Sequence, residues 1–95
     1  MALGDFAIDS RPGNGGDRHV LTGTLEANST ATAFQILSTK SSITSAQLHN
    51  IDDVDTTVQV VINSDDGTEG SDNGSLYVDT SSADVDTFRF RIEYV

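Results

Sequence analysis

The sequence predicts a small all-β domain, an antiparallel β-sandwich or jelly-roll-like barrel with an N-terminal arm, and three observations carry that reading. Phe88-Arg-Phe-Arg-Ile-Glu-Tyr-Val95 alternates apolar and charged residues up to the end of the chain, which is the period of a half-buried strand and not of a helix. Thr56 to Asn63 is dense in β-branched residues, which fit the pleated surface of a sheet. Turn signals built from Gly, Asp, Asn and Ser recur about every 8–12 residues, the spacing of short strands in a sandwich or small barrel.

Taken in order, residues 1–16 form the arm and residues 17–95 a single β domain. Within the arm, Phe6 and Ile8 alternate with Ala7 and Asp9 and suit a short added strand, whereas Arg11-Pro-Gly-Asn-Gly-Gly16 is too rich in Gly and Pro for regular structure. Such an arm needs support, from its own domain or from a neighbouring subunit, and the neighbour is the favoured support. Arg18 to Glu26 is the first strong strand; Leu21 and Leu25 share one side with His19, and Gly23 in mid-strand marks a bulge or a close backbone approach. Asn28 to Thr30 is a turn, and Ala33 to Leu37 a short strand carrying Phe34 and Ile36.

Ile43 to Ile51 is ambiguous. Ile43, Ala46, Leu48 and Ile51 suit a helix, while Thr44, Ala46 and Leu48 suit one side of a strand. Ser and Thr are weak helix formers, so a strand is expected. Asp52 to Asp55 is a turn, and Thr56 to Asn63 reads as a central strand with Val58, Val60 and Ile62 on one side and Val61 on the other. Ser64 to Asn73 is a polar loop with Asp65-Asp-Gly67 and Asp72-Asn-Gly74 as turn signals. Gly74 to Asp79 is a further strand, and Thr80 to Asp86 a polar turn into the last strand.

Ninety-five residues suffice for one modest core. Cysteine is absent, which removes disulfides and thiolate chemistry. No apolar run is long enough to span a bilayer and Met1 opens no signal-peptide pattern, so the chain reads as cytosolic at synthesis, or virion-borne. The formal charge is −10, and its distribution is uneven: residues 41–88 hold ten acids and no Lys or Arg. Residues 1–40 are close to balanced, with Asp5, Asp9, Asp17 and Glu26 set against Arg11, Arg18 and Lys40. A surface of this sign disfavours nucleic acid and anionic membrane as partners and suits a solvating face.

Residues able to carry chemistry are sparse. Asn63, Asp65, Asp66, Glu69, Asp72 and Asn73 offer hard oxygens of the kind calcium takes, and Asp65, Asp66, Glu69 and Asp72 are the calcium candidates. Their spacing is not that of an EF-hand, and Asp and Asn before Gly are also what tight turns demand. Asp52, Asp53 and Asp55 form a second acidic knot, in an apparent turn with no cleft for acid–base work. His19 and His49 stand on separate strands without a zinc spacing. No nucleophile elbow and no phosphate-cradling Gly loop is present, and no cofactor and no enzymatic activity are expected.

Three stretches resemble the small decoration (cement) proteins of tailed-phage heads: Gly16-Asp-Arg-His-Val-Leu-Thr-Gly-Thr-Leu25; the run Thr56 to Ser75, a β-branched strand followed by an Asn/Asp/Gly loop; and Asp86-Thr-Phe-Arg-Phe90, a polar turn into an aromatic-alternating strand. The resemblance implies a structural virion protein on the capsid exterior, bridging subunits of the major capsid protein and self-associating on the shell, with no catalytic residue. Under that expectation the acidic surface faces solvent and the contact surface lies in residues 1–40, where Phe6 and Ile8 supply apolar contact and Arg11 and Arg18 pair with capsid acids. The other reading is a β binding module of a tail or adhesion apparatus, holding calcium or glycan at the acidic loop of residues 63–74.

Overall fold

The computed structural model describes residues 2–10, 19–53 and 55–95. These residues form seven strands and no helix: β1 (Phe6–Ser10), β2 (His19–Ala27), β3 (Thr32–Gln35), β4 (Ile43–Asn50), β5 (Val58–Ile62), β6 (Ser75–Thr80) and β7 (Asp86–Tyr94). They pair in two antiparallel sheets, a four-stranded one in the order β1-β2-β7-β4 and a three-stranded one in the order β3-β6-β5. The chain changes sheet between β2 and β3, β3 and β4, β4 and β5, and β6 and β7. Each late strand, β6 and β7, lies between strands formed earlier. That winding is jelly-roll-like, and the all-β sandwich expected from the sequence is the fold observed.

The final strand is the spine of the larger sheet. β7 pairs with β2 in unbroken register from His19↔Tyr94 to Ala27↔Asp86 and with β4 on its other side. Its alternation gives it two unlike faces: Phe88, Phe90 and Ile92 are fully buried, while Arg89 and Arg91 are exposed. Leu21 and Leu25 of β2 join this layer, and Phe34, Leu76 and Val78 meet it from the smaller sheet. Burying one side chain of this size contributes about 1.5–3 kcal/mol.

Gly23 shows the close approach its position suggested. It pairs with Phe90 on one side and Ile8 on the other. A Cβ there would fall 2.6 Å from Phe90 Cζ and would also collide with the Ala7 carbonyl oxygen. The missing side chain is the space into which the Phe90 ring packs.

Ile43 to Asn50 is a strand, and its ambiguity has a physical source. Ala46 pairs with Ile92 and Leu48 with Phe90, but the register shifts between Ile43 and Ser45. This irregularity changes the parity, so Ile43 is buried and Thr44 exposed, although Ala46 and Leu48 still face the core. Two inward residues three apart imitate a helical spacing. The expected strand side of Thr44, Ala46 and Leu48 is corrected at its first member.

Two further expectations are corrected. β5 is an edge strand and not a central one; its β-branched residues report a half-buried face, which an edge strand also has. Phe6 to Ser10 is held by its own chain, pairing with β2 through Phe6↔Leu25, Ala7↔Thr24 and Ile8↔Gly23. At Gly23 the absence of a Cβ leaves room for the Ala7 carbonyl of the arriving strand. The Gly-rich stretch of the arm, with Arg11, falls outside the described residues, as does Arg18.

Candidate contact surface

β1 is the edge of the larger sheet, and its apolar side is poorly covered. Phe6 and Ile8 share the inward side of the sheet with their partners Leu25 and Gly23, yet Phe6 is 40% and Ile8 37% exposed. Four strands facing three leave this overhang. The Phe6 ring reaches the smaller sheet only edge-on, with its centroid 6.4 Å from that of the buried Phe34. An edge strand also presents unpaired backbone groups, to which another chain adds readily.

The outer side of the same sheet collects the described arginines. Arg89 Nη1 donates to Asp9 Oδ2 at 3.0 Å, so an ion pair crosses from β7 over β2 to the arm strand. Arg91 lies 4.0 Å from Glu93, whose Oε1 also accepts from Ser45 Oγ at 2.9 Å. At the end of this face the buried Glu26 accepts from Thr87 Oγ1 at 2.8 Å. The face therefore carries both signs of charge, Arg89 and Arg91 against Asp9, Glu93 and Glu26, whereas residues 41–88 hold no Lys or Arg. Of the four residues expected to make the contact, Phe6 and Ile8 stand at this edge, and Arg11 and Arg18 lie outside the described residues. Arg89 and Arg91 stand on the outer side of this sheet, where the alternation of the last strand already placed both on one exposed side.

The acidic loop is organised by hydrogen bonds of its own. Asn63 adopts a left-handed φ of 54°; its Oδ1 accepts from Ile43 N at 2.8 Å and its Nδ2 donates to Ile43 O at 2.9 Å, joining the loop to β4. Among the calcium candidates, Asp65 Oδ1 accepts from Ser71 Oγ at 3.1 Å, Asp66 Oδ1 from Thr68 N at 2.8 Å, and Asp72 Oδ2 from Ser75 Oγ at 2.6 Å. The Thr68 amide holds the Asp66 carboxyl below the usual aspartate range. Glu69 is exposed. The structure does not bring these four together: among the described residues no three His, Asp or Glu side chains converge as metal ligands. Their sequence pattern meets the needs of turns, with Gly67 and Gly74 both at positive φ.

The second acidic knot is likewise built into the scaffold. Asp52 Oδ2 accepts from Thr87 N at 2.8 Å, Asp53 Oδ1 from Asp55 N at 2.9 Å, and the buried Asp86 accepts from Asn50 Nδ2 at 3.0 Å. The two histidines are far apart: His19 pairs with Tyr94 and stacks on its ring with centroids 5.2 Å apart, while His49 pairs with Arg89. A depression lined by Thr57, Gln59, Asp79, Thr80 and Ser81 has a volume of about 190 Å³, below the roughly 300 Å³ at which small-molecule sites usually begin.

No protein-family model, no curated protein and no solved structure matches this chain.

Proposed function

We propose that this protein is a structural component of a virion that decorates the outside of a phage head and bridges subunits of the major capsid protein. The observation that carries the reading is the partly exposed apolar edge at β1. That edge offers Phe6 and Ile8 beside a sheet face that carries Arg89 and Arg91 among its acids, while residues 41–88 carry ten acids without a base. An apolar edge strand can be desolvated against a partner. The acidic remainder keeps neighbouring copies soluble at high local concentration. The resemblance of the sequence to head decoration proteins names the partner. Contact through β1 also accommodates self-association on the shell, and the shortage of basic surface speaks against nucleic acid and membrane.

The test is co-sedimentation with expanded and unexpanded heads of the parent virus. Saturable binding at a fixed ratio to the major capsid protein is expected for the wild type, and loss of it for Phe6→Ser combined with Ile8→Ser. Both side chains are more than half covered, so the double variant should melt several degrees below wild type while keeping one cooperative transition; binding is compared well below that transition, which separates lost contact from lost fold. Absence of wild-type binding to either form of head overturns the reading.

A further inference from the structure

One carboxylate stands apart from the rest. Among the described acids, Asp55, Glu69, Asp79 and Asp84 accept no hydrogen bond from the chain. Asp55, Glu69 and Asp84 are exposed and lie in loops. Asp79 is half-buried and sits in β6, the central strand of the smaller sheet. Aspartate is depleted in strands. The Asp79 carboxylate keeps its contact with solvent, and departures from local preference of this kind are expected at functional sites.

Its surroundings point to a ligand class. Asp79 pairs across the ladder with Gln59, so the two side chains stand together on the outer side of the smaller sheet. They line the depression of about 190 Å³ with Thr57, Thr80 and Ser81. Every lining side chain carries oxygen and none carries a positive charge. Thr57 N donates to Ser81 Oγ at 3.0 Å and Ser81 N to Thr57 O at 3.1 Å, which fixes the rim. The space is too large for a bare metal ion held by one carboxylate, which would need several more hard ligands. It suits the end of an organic cation. The surrounding chain from residue 41 to residue 88 is wholly acidic and would attract a cation and repel an anion.

We infer that this depression on the smaller sheet binds a primary ammonium or guanidinium group, with Asp79 as the charge partner and Gln59 as a hydrogen-bonding neighbour. The group is either that of a free amine or the end of a Lys or Arg side chain on a partner. The inference stands apart from the capsid reading, since the depression lies on the opposite sheet from β1.

Isotope-labelled protein is titrated with ethylammonium, methylguanidinium and a short lysine-containing peptide, with methyl glucoside as the neutral comparison. Amide shifts are expected to concentrate at Thr57, Gln59, Asp79 and Ser81, to saturate, and to reflect an affinity about two- to fivefold weaker in Asp79→Asn. Since the Asp79 carboxylate makes no hydrogen bond or ion pair with the described chain, the melting temperature of Asp79→Asn should equal or exceed that of the wild type. Tighter binding of the peptide than of the small cations assigns the group to a partner's side chain; equal binding assigns it to a free amine. Shifts spread equally over Asp55, Glu69 and Asp84, shifts unchanged in Asp79→Asn, or shifts produced by the glucoside and not by the cations overturn the inference.

Discussion

β1 and β7 carry the same pattern and meet different fates. Phe6-Ala-Ile8-Asp9 and Phe88-Arg-Phe90-Arg-Ile92 both alternate large apolar residues with others. In β7 the apolar side is fully buried; in β1 it is 37–40% exposed. Local sequence is not the cause, because both strands turn that side inward. The cause is position: β7 lies between β2 and β4 under the smaller sheet, and β1 overhangs an edge. Alternation therefore specifies which way a side chain points, while the partner sheet decides whether it is covered. Where the pattern is complete and the cover is missing, the surface is available to another molecule.

The largest effect expected comes from removing the same group at the two places. Phe90→Ala opens a cavity in the centre of the larger sheet and should cost about 3–5 kcal/mol, a large part of the about 5–15 kcal/mol that holds a domain together. Phe6→Ala removes a ring that is 40% exposed and should cost about 1–2 kcal/mol. Urea melts of the two variants measure this directly. Equal losses would mean that β1 is as much a part of the core as β7, and the comparison would fail.

An intermediate effect is expected at the residue where the two strands meet. Gly23 pairs with both Ile8 and Phe90. In Gly23→Ala the added methyl would press on the Phe90 ring and the Ala7 carbonyl. The ring is enclosed, so the edge strand should give way. A loss of about 1–3 kcal/mol is expected, together with faster amide exchange in β1 than in β4, the opposite edge of the sheet. Uniform acceleration across the sheet would show that β1 is not the weaker partner.

Much of this arrangement was legible before any coordinates. The two faces of β7, the short strand in the arm and the close approach at Gly23 all followed from period and residue type. Four features did not, each for a physical reason. The irregularity between Ile43 and Ser45 changes parity inside one strand, and periodicity alone confuses such a strand with a helix. The edge position of β5 depends on strand order, which local pattern does not encode. The separation of Asp65, Asp66, Glu69 and Asp72 depends on which donors each meets in the folded loop. Composition advertised them as ligands, whereas the folded loop binds three of them to its own amides and hydroxyls. Asp79 drew no notice because a single acid in an acidic chain carries no contrast until its lack of a partner is visible.

The smallest effect tests the one charged link between the two strands. Asp9 and Arg89 form an exposed pair at 3.0 Å, their side chains 44% and 56% accessible. Pairs of this kind contribute about 0–1 kcal/mol and are screened by salt. A double-mutant cycle with Asp9→Asn and Arg89→Gln should give a coupling of about 0.5 kcal/mol at low ionic strength, vanishing near 1 M salt. Small as it is, the coupling bears on the edge strand more than on the core, because β7 remains fixed by β2 and β4 when the pair is broken. Each single variant should thus leave urea midpoints almost unchanged while raising amide exchange in β1. A coupling that survives high salt would show that the arm is fixed to the sheet by a desolvated contact, and β1 would then resemble β7 after all.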